Sequence, residues 1–389
     1  MHTQKQFRLS KAVSIASATL LLAASATGAF GQAAYQYIDI GAALSGDSVA
    51  SAINDVGQIV GSGGAHGSST WQAWRWSAGT ATVLPSLNGT SAWANDINNA
   101  GEIVGGISRF DAGTVWPGTA INAVIWRNDQ ATALTQLGAF GWAQAYSIND
   151  AGVVVGGYDP RSDPISYLRQ HAAQWDPSGQ LSMLPGGHAA SLATSINSQG
   201  TAVGMVGDWQ GSSHDPASAL PAKWSPSLVT LQPVPRYSAT AWDINDRGQI
   251  VGYSGNRYGS PGQAVLWEDG MTTVLGDPQA EGNALALNEH TQIVGYAVVN
   301  GQYRATLWQG GSTIDLNAQI DPTVLEGGWV LTSASDINES GWIIGTATQA
   351  GTGATRAFLL TPVPEPATVV LLLLGMLSLG LWSRSKTDH

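Results

Sequence analysis

A twelve-residue pattern governs this chain. A-x-x-I-N-x-x-G-x-I-V-G, first met at Ala50–Gly61, returns six more times, its Asn falling at Asn54, Asn98, Asn149, Asn197, Asn245, Asn288 and Asn338. The spacings of 43 to 51 residues mark one repeat architecture, rather than the two or three domains that 389 residues would otherwise suggest. Only 11% of residues are charged, while Gly (48) and Trp (16) are abundant, which suits short strands joined by tight turns. The expected fold class is all-β.

Each copy reads as four strands. A small residue stands three positions before the Ile or Leu of the motif: Ala50, Ala94, Ala145, Ala193, Ala241, Ala284 and Ala334. The Asn and the Gly three residues later, as in Asn54-Asp55-Val56-Gly57, fit a type I turn with Gly in the left-handed position, the device of a short bulged hairpin. The sixth copy carries Thr291 in place of that Gly, so its turn should be the most strained or differ in type. The second strand ends in Gly in all seven copies (Gly61, Gly105, Gly156, Gly204, Gly252, Gly295, Gly345), which predicts a close backbone neighbour or a bend. An A-x-x-W strand follows, with Trp76, Trp126, Trp175, Trp224, Trp267 and Trp308, and Leu360 in the seventh copy. One large ring at one position per repeat reads as packing between units. A fourth strand ends in Leu84, Leu134, Leu184, Leu231, Leu275 and Leu316.

The seventh copy lacks a fourth strand, and Tyr35–Gly41, ahead of the first copy, has its character. One strand permuted from end to start predicts a β-propeller of seven four-stranded blades, closed by pairing of the N- and C-terminal strands. Such a ring hides nearly all strand edges. The alternative is an open β-solenoid, which needs end caps and no permutation. A-x-x-I-N-x-x-G-x-I-V-G followed by A-x-x-W resembles the HAF repeat of extracellular bacterial repeat proteins across most of residues 35–361. That resemblance implies export and a surface location and brings no established activity.

The chain ends supply an address. Lys5, Arg8 and Lys11, the apolar run Ala12–Ala26 and the small residues of Ala29–Ala33 have the layout of a secretory signal peptide over residues 1–33, cleaved after Gly31 or Ala33. After the repeat body (34–361), residues 362–389 hold Val363-Pro364-Glu365-Pro366, an apolar run Thr368–Trp382, and then Arg384 and Lys386. As a helix the run rises about 24 Å, a marginal span of a hydrocarbon core of roughly 30 Å, and the basic end stays cytoplasmic. This tail resembles the PEP-CTERM sorting signal of exopolysaccharide-producing Gram-negative bacteria. The resemblance implies a transient membrane anchor, an exosortase as processing partner, and delivery to the cell surface.

Candidate chemistry is sparse. With no cysteine there is no disulfide framework, thiolate metal site or cysteine nucleophile, and a net charge of −11 argues against a nucleic-acid partner. Asp96, Asp243 and Asp336, just before the motif Ile, could serve acid–base chemistry or Ca²⁺; capping of backbone amides explains them more simply. The Asn-Asp turns lack the alternating ligands of a calcium loop, no His pair has zinc spacing, and no serine-hydrolase elbow is present. No catalytic, metal or cofactor-binding residue is assigned. Trp93, Trp142 and Trp329, before the A-x-x-I-N strand, and Trp116 and Trp209, in the loop after I-V-G, break the repeat register. All five are read as loop aromatics that, if exposed, could stack on sugar rings. The expectation is a non-enzymatic binding or structural module for exopolysaccharide or a surface protein; the alternative is a polysaccharide hydrolase or lyase.

Overall fold

The fold was analysed in a computed structural model. It describes residues 34–363 apart from 45, 69, 88–90, 111–118, 135–141, 160–169, 187–189, 208–218, 235–237 and 256–261. Trp116, Trp209, Pro364, Glu365, Pro366, the signal segment 1–33 and the apolar run 368–382 lie outside the described residues. Among the described residues no helix is long and apolar enough to cross a membrane.

The chain folds as an all-β propeller of four-stranded antiparallel sheets. Each sheet runs in chain order, as in Asp47–Ile53, Ile59–Gly64, Gln72–Ser77 and Thr80–Val83 of the first unit. The second and third units are joined by one parallel pairing, Trp142 with Ile121. The last sheet takes its fourth strand from the other end of the chain: Tyr35–Asp39 pairs antiparallel with Thr355–Pro362, Tyr35 opposite Pro362 and Asp39 opposite Phe358. First strands of successive units pack against one another, and that of the seventh packs against that of the first.

Local chemistry explains the unit. In the first turn Gly57 N–H donates to Asn54 O (3.1 Å), and Gly57 takes φ +79°. Thr291 adopts the same turn, at φ 58°, with its N–H on Asn288 O (3.2 Å). The turn type is therefore kept and the strain accepted, with the Thr291 hydroxyl donating to Gln249 Oε1 at 3.0 Å. Every first strand carries a β-bulge one residue after the motif Ala, at Ser51, Asn95, Tyr146, Thr194, Trp242, Leu285 and Ser335. Beside each bulge lies the I-V-G glycine, which does not end the second strand as expected: the strand runs on past it, to Gly64 in the first unit and Phe110 in the second. A Cβ on Gly156 would stand 1.9 Å from Gln144 O, and the other six would meet the equivalent carbonyl at 2.0–2.1 Å. The conserved feature of the repeat is thus a close approach of two backbones, which excludes any side chain.

The core is divided among the seams between units. Ala52, Val60 and Ala73 of the first unit share a buried cluster with Ala94, Ile97, Ile103 and Trp126 of the second. The repeated tryptophans are buried there, and three donate their indole N–H backwards across a seam: Trp126 to Pro85 O (2.8 Å), Trp224 to Pro185 O (2.8 Å) and Trp267 to Gln232 O (2.7 Å). In the seventh unit Leu360 is buried in the Trp position, and Phe358, two residues earlier, supplies the aromatic ring, packed over Gly345.

Candidate functional site

The first strands surround a central channel, and all of them end at the Asn turns, so the turns form one rim. There the seven motif asparagines hand a bond from unit to unit. Asn54 Nδ2 donates to Asn98 O, and the series continues through Asn149, Asn197, Asn245, Asn288 and Asn338, whose Nδ2 donates to Asn54 O; all seven bonds are 3.0–3.2 Å. Each Oδ1 meanwhile accepts the N–H four residues on, as Asn54 does from Gln58 at 2.8 Å. Both ends of each amide are therefore engaged while the side chain is buried, so the asparagines serve the fold before any ligand.

The next residue of each turn builds a second, exposed circle: Asp55, Asn99, Asp150, Ser198, Asp246, Glu289 and Glu339. Its carboxylates accept backbone amides from the preceding unit: Glu339 from Glu289 (2.9 Å), Asp55 from Glu339 (3.0 Å) and Asp246 from Ser198 (2.9 Å). The rim encloses a shallow bowl of about 210 Å³ lined by these turns. Five carboxylates against Arg247 and His290 at its edge give it a negative field that disfavours anionic ligands.

Asp96, Asp243 and Asp336 lie one layer deeper, in the channel wall. Asp243 Oδ1 accepts from Ile244 N–H (2.8 Å) and Ser195 Oγ (2.7 Å), while its Oδ2 takes Leu287 N–H (3.0 Å) of the next unit. Asp96 and Asp336 make the same two backbone bonds, reaching Ile148 N–H and Ile53 N–H across their seams, both at 2.8 Å. The carboxylates are clips between units. Burial raises all three above the ordinary carboxylate value, carrying Asp243 to about 6, and for Asp336 the charges of Asp243 and Asp96 add to the rise. A carboxylate with a raised folded-state value binds its proton more tightly folded than unfolded. Stability from Asp243 is therefore present below about pH 4 and is lost as pH rises towards 6. The denaturant midpoint should be higher at pH 5 than at pH 7.5, by on the order of 2 kcal/mol. Asp243→Ser should flatten that slope; a wild-type midpoint that falls steadily from pH 7.5 to 5 contradicts the assignment.

No family model matches the chain, and no curated protein matches it. Among solved structures it is similar to TolB from Acinetobacter baumannii, at 8% identity and a TM-score of 0.38, over 76% of this chain and 60% of that one. It is also similar to a protein classed provisionally as a gluconolactonase, at 9% identity and a TM-score of 0.37, over 85% of this chain and 93% of that one.

Trp93, Trp142 and Trp329 lie near the starts of their strands, opposite the Asn rim. Trp142 and Trp329 are the first residues of the first strands Trp142–Ile148 and Trp329–Ile337, and Trp93 is the third of Ser91–Ile97. They are strand residues and half-buried, which corrects their reading as loop aromatics. Trp93 packs over Gly106 and Trp142 over Gly157, where an added Cβ would come within 2.7 Å of either ring. Arg356 lies over the Trp329 ring at 4.5 Å while its Nη1 binds Asp39 Oδ2 at 2.9 Å. The strands begin further upstream than the motif, so side chains adjacent to it in sequence share its sheet. Sequence reasoning weighed Asp55, Asp150 and Asp246 only as calcium-loop residues and missed the circle they form with Glu289 and Glu339, because its members change identity from copy to copy; it also passed over Trp74. The signal for Trp74 was its position, occupied by Val124, Ala173, Ala222, Val265, Thr306 and Phe358 in the other copies. Among the described residues no group of three or more His, Asp or Glu is arranged to hold a metal ion.

Proposed function

We propose that this chain is an exported cell-surface protein whose seven blades, closed by pairing of Tyr35–Asp39 with Thr355–Pro362, form a non-enzymatic module that binds exopolysaccharide. The observation that carries the binding reading is the placement of Trp93, Trp142 and Trp329, each half-buried with one face packed against its own unit, near the starts of three first strands. Aromatic faces can stack on sugar rings, and an acidic opposite rim suits neutral better than acidic polymers. The hydrolase alternative needs an acid and a base free to act. The three channel carboxylates are instead committed to backbone amides across the seams. Purified protein incubated with insoluble exopolysaccharides should be retained by at least one polymer, and Trp142→Ala should release it. Retention by none removes the glycan reading.

Delivery rests on the resemblance of the C-terminal segment to the PEP-CTERM signal. Val363 N–H bonds to Ala34 O at 2.9 Å, so a tail starting at Pro364 would leave from the same edge at which the described chain begins. Cleavage by an exosortase beyond Val363 would leave the closing strand intact. Glu365→Ala should leave unprocessed chain in the inner membrane fraction; processing at the wild-type rate would overturn the sorting assignment.

A further inference from the structure

The first unit carries a pocket on the side facing the seam with the seventh. Its second strand ends in Gly63-Gly64 and leads into Ala65, so one wall is nearly bare backbone. Leu44 and Ala43, from the turn that joins the closing strand to the first unit, form a second wall. Trp74 lies at the floor, almost wholly buried, in the position where the other six copies place Val, Ala, Thr or Phe. Ser68, Thr70 and Gln72 bring hydroxyl and amide groups to the lip, and Ala81 and Val83 of the edge strand complete it. The enclosed volume is about 330 Å³, at the lower end of the range for small-molecule sites.

The lining decides the class of ligand. None of its residues is charged, so nothing there would offset the desolvation of an ionic ligand. Its lip is polar: Ser68 Oγ and Thr70 Oγ1 stand 2.9 Å apart and bond each other, and Gln72 adds an amide beside them. Aliphatic and aromatic patches alternating with hydroxyl and amide groups match a molecule that has apolar C–H faces and a hydroxyl periphery. We propose that this pocket binds a neutral sugar unit, a mono- or disaccharide rather than a polymer run, at the seam between the first and seventh units. The proposal rests on the glycan-binding reading above and adds a second site, on the flank of the ring and away from the channel.

The test uses purified protein and a panel of D-glucose, D-galactose, D-mannose, N-acetyl-D-glucosamine, cellobiose and lactose, read by saturation-transfer NMR and calorimetry. At least one sugar should bind saturably. Val83→Trp, which fills the pocket from an exposed edge position (53% exposed), should weaken it at least about tenfold at an unchanged unfolding midpoint, roughly 1.4 kcal/mol. Trp74→Val, the residue of the second and fifth copies, should weaken it similarly, with native circular dichroism as the check on folding. Binding that survives both variants overturns the pocket and leaves the channel reading standing. Absence of binding across the panel overturns the pocket too. Polymer retention lost in Trp142→Ala then tells whether the wider glycan reading holds without it.

Discussion

Removing residues 34–40 should abolish cooperative folding or lower its stability by several kcal/mol, the largest effect expected of any change considered. That segment places Ile40 wholly out of solvent, buries Tyr35 in the core of the last unit, and lays Tyr37 against Phe358 at 6.3 Å. Burying such side chains contributes about 1.5–3 kcal/mol each, before any of the five paired positions of the ladder is counted. Its loss would also bare the strand Thr355–Pro362, whose Ala357-Phe358-Leu359-Leu360 run is an uncharged, apolar edge of the kind that pairs with other chains. The truncated protein should aggregate. Appending residues 34–40 after Pro362 through a short turn should restore a soluble monomer, because the strand would reach the same partner from the other side. A truncated protein that unfolds at the wild-type denaturant midpoint would mean that the terminal pairing contributes little.

The second large effect is expected from one methyl group. Gly156→Ala would place a Cβ 1.9 Å from Gln144 O, well inside contact distance; the obstacle is backbone, and the glycine's own strand is held on both sides by sheet pairing. Relief requires the bulged strand to move away from its neighbour, with a cost of about 3 kcal/mol or more. Gly200→Ala is the matched control: its φ is +80°, but nothing lies within 4 Å of an added Cβ, so only the left-handed backbone is penalised, by about 1 kcal/mol. Denaturant midpoints of the two variants separate the causes. If Gly156→Ala is no more damaging than Gly200→Ala, close approach is not why the second strand carries glycine at that position.

The two glycines also show how far the sequence could be read. Positive φ at the turn was legible at Gly57 because a type I turn of that length demands it, and Thr291 could be singled out as strained for the same reason. For the I-V-G glycine the sequence offered a close neighbour or a bend. Which of these held depended on the bulge after the motif Ala, which leaves no mark in residue type, since its positions carry Ser, Asn, Tyr, Thr, Trp, Leu and Ser. Trp93, Trp142 and Trp329 were misplaced in loops for a related cause. The motif marks where a strand meets its turn, and the opposite end of that strand has no turn residue to announce it.

By itself the sequence determined the repeat, its strands and the strand borrowed from the other end, because a period of two along strands and a residue able to take positive φ at each turn are local requirements. It also determined that the polar residues of the motif serve the turn. Only the tertiary structure decided that they equally serve the seams. Asn338 bonds to Asn54 across 284 residues, and Asp336 to Ile53 across 283. A bond of that kind exists when the wedge angle of the units brings the last copy back to the first. That angle comes from how Ala, Val and Trp fill each seam, a property of packed volume that no single copy of the pattern contains.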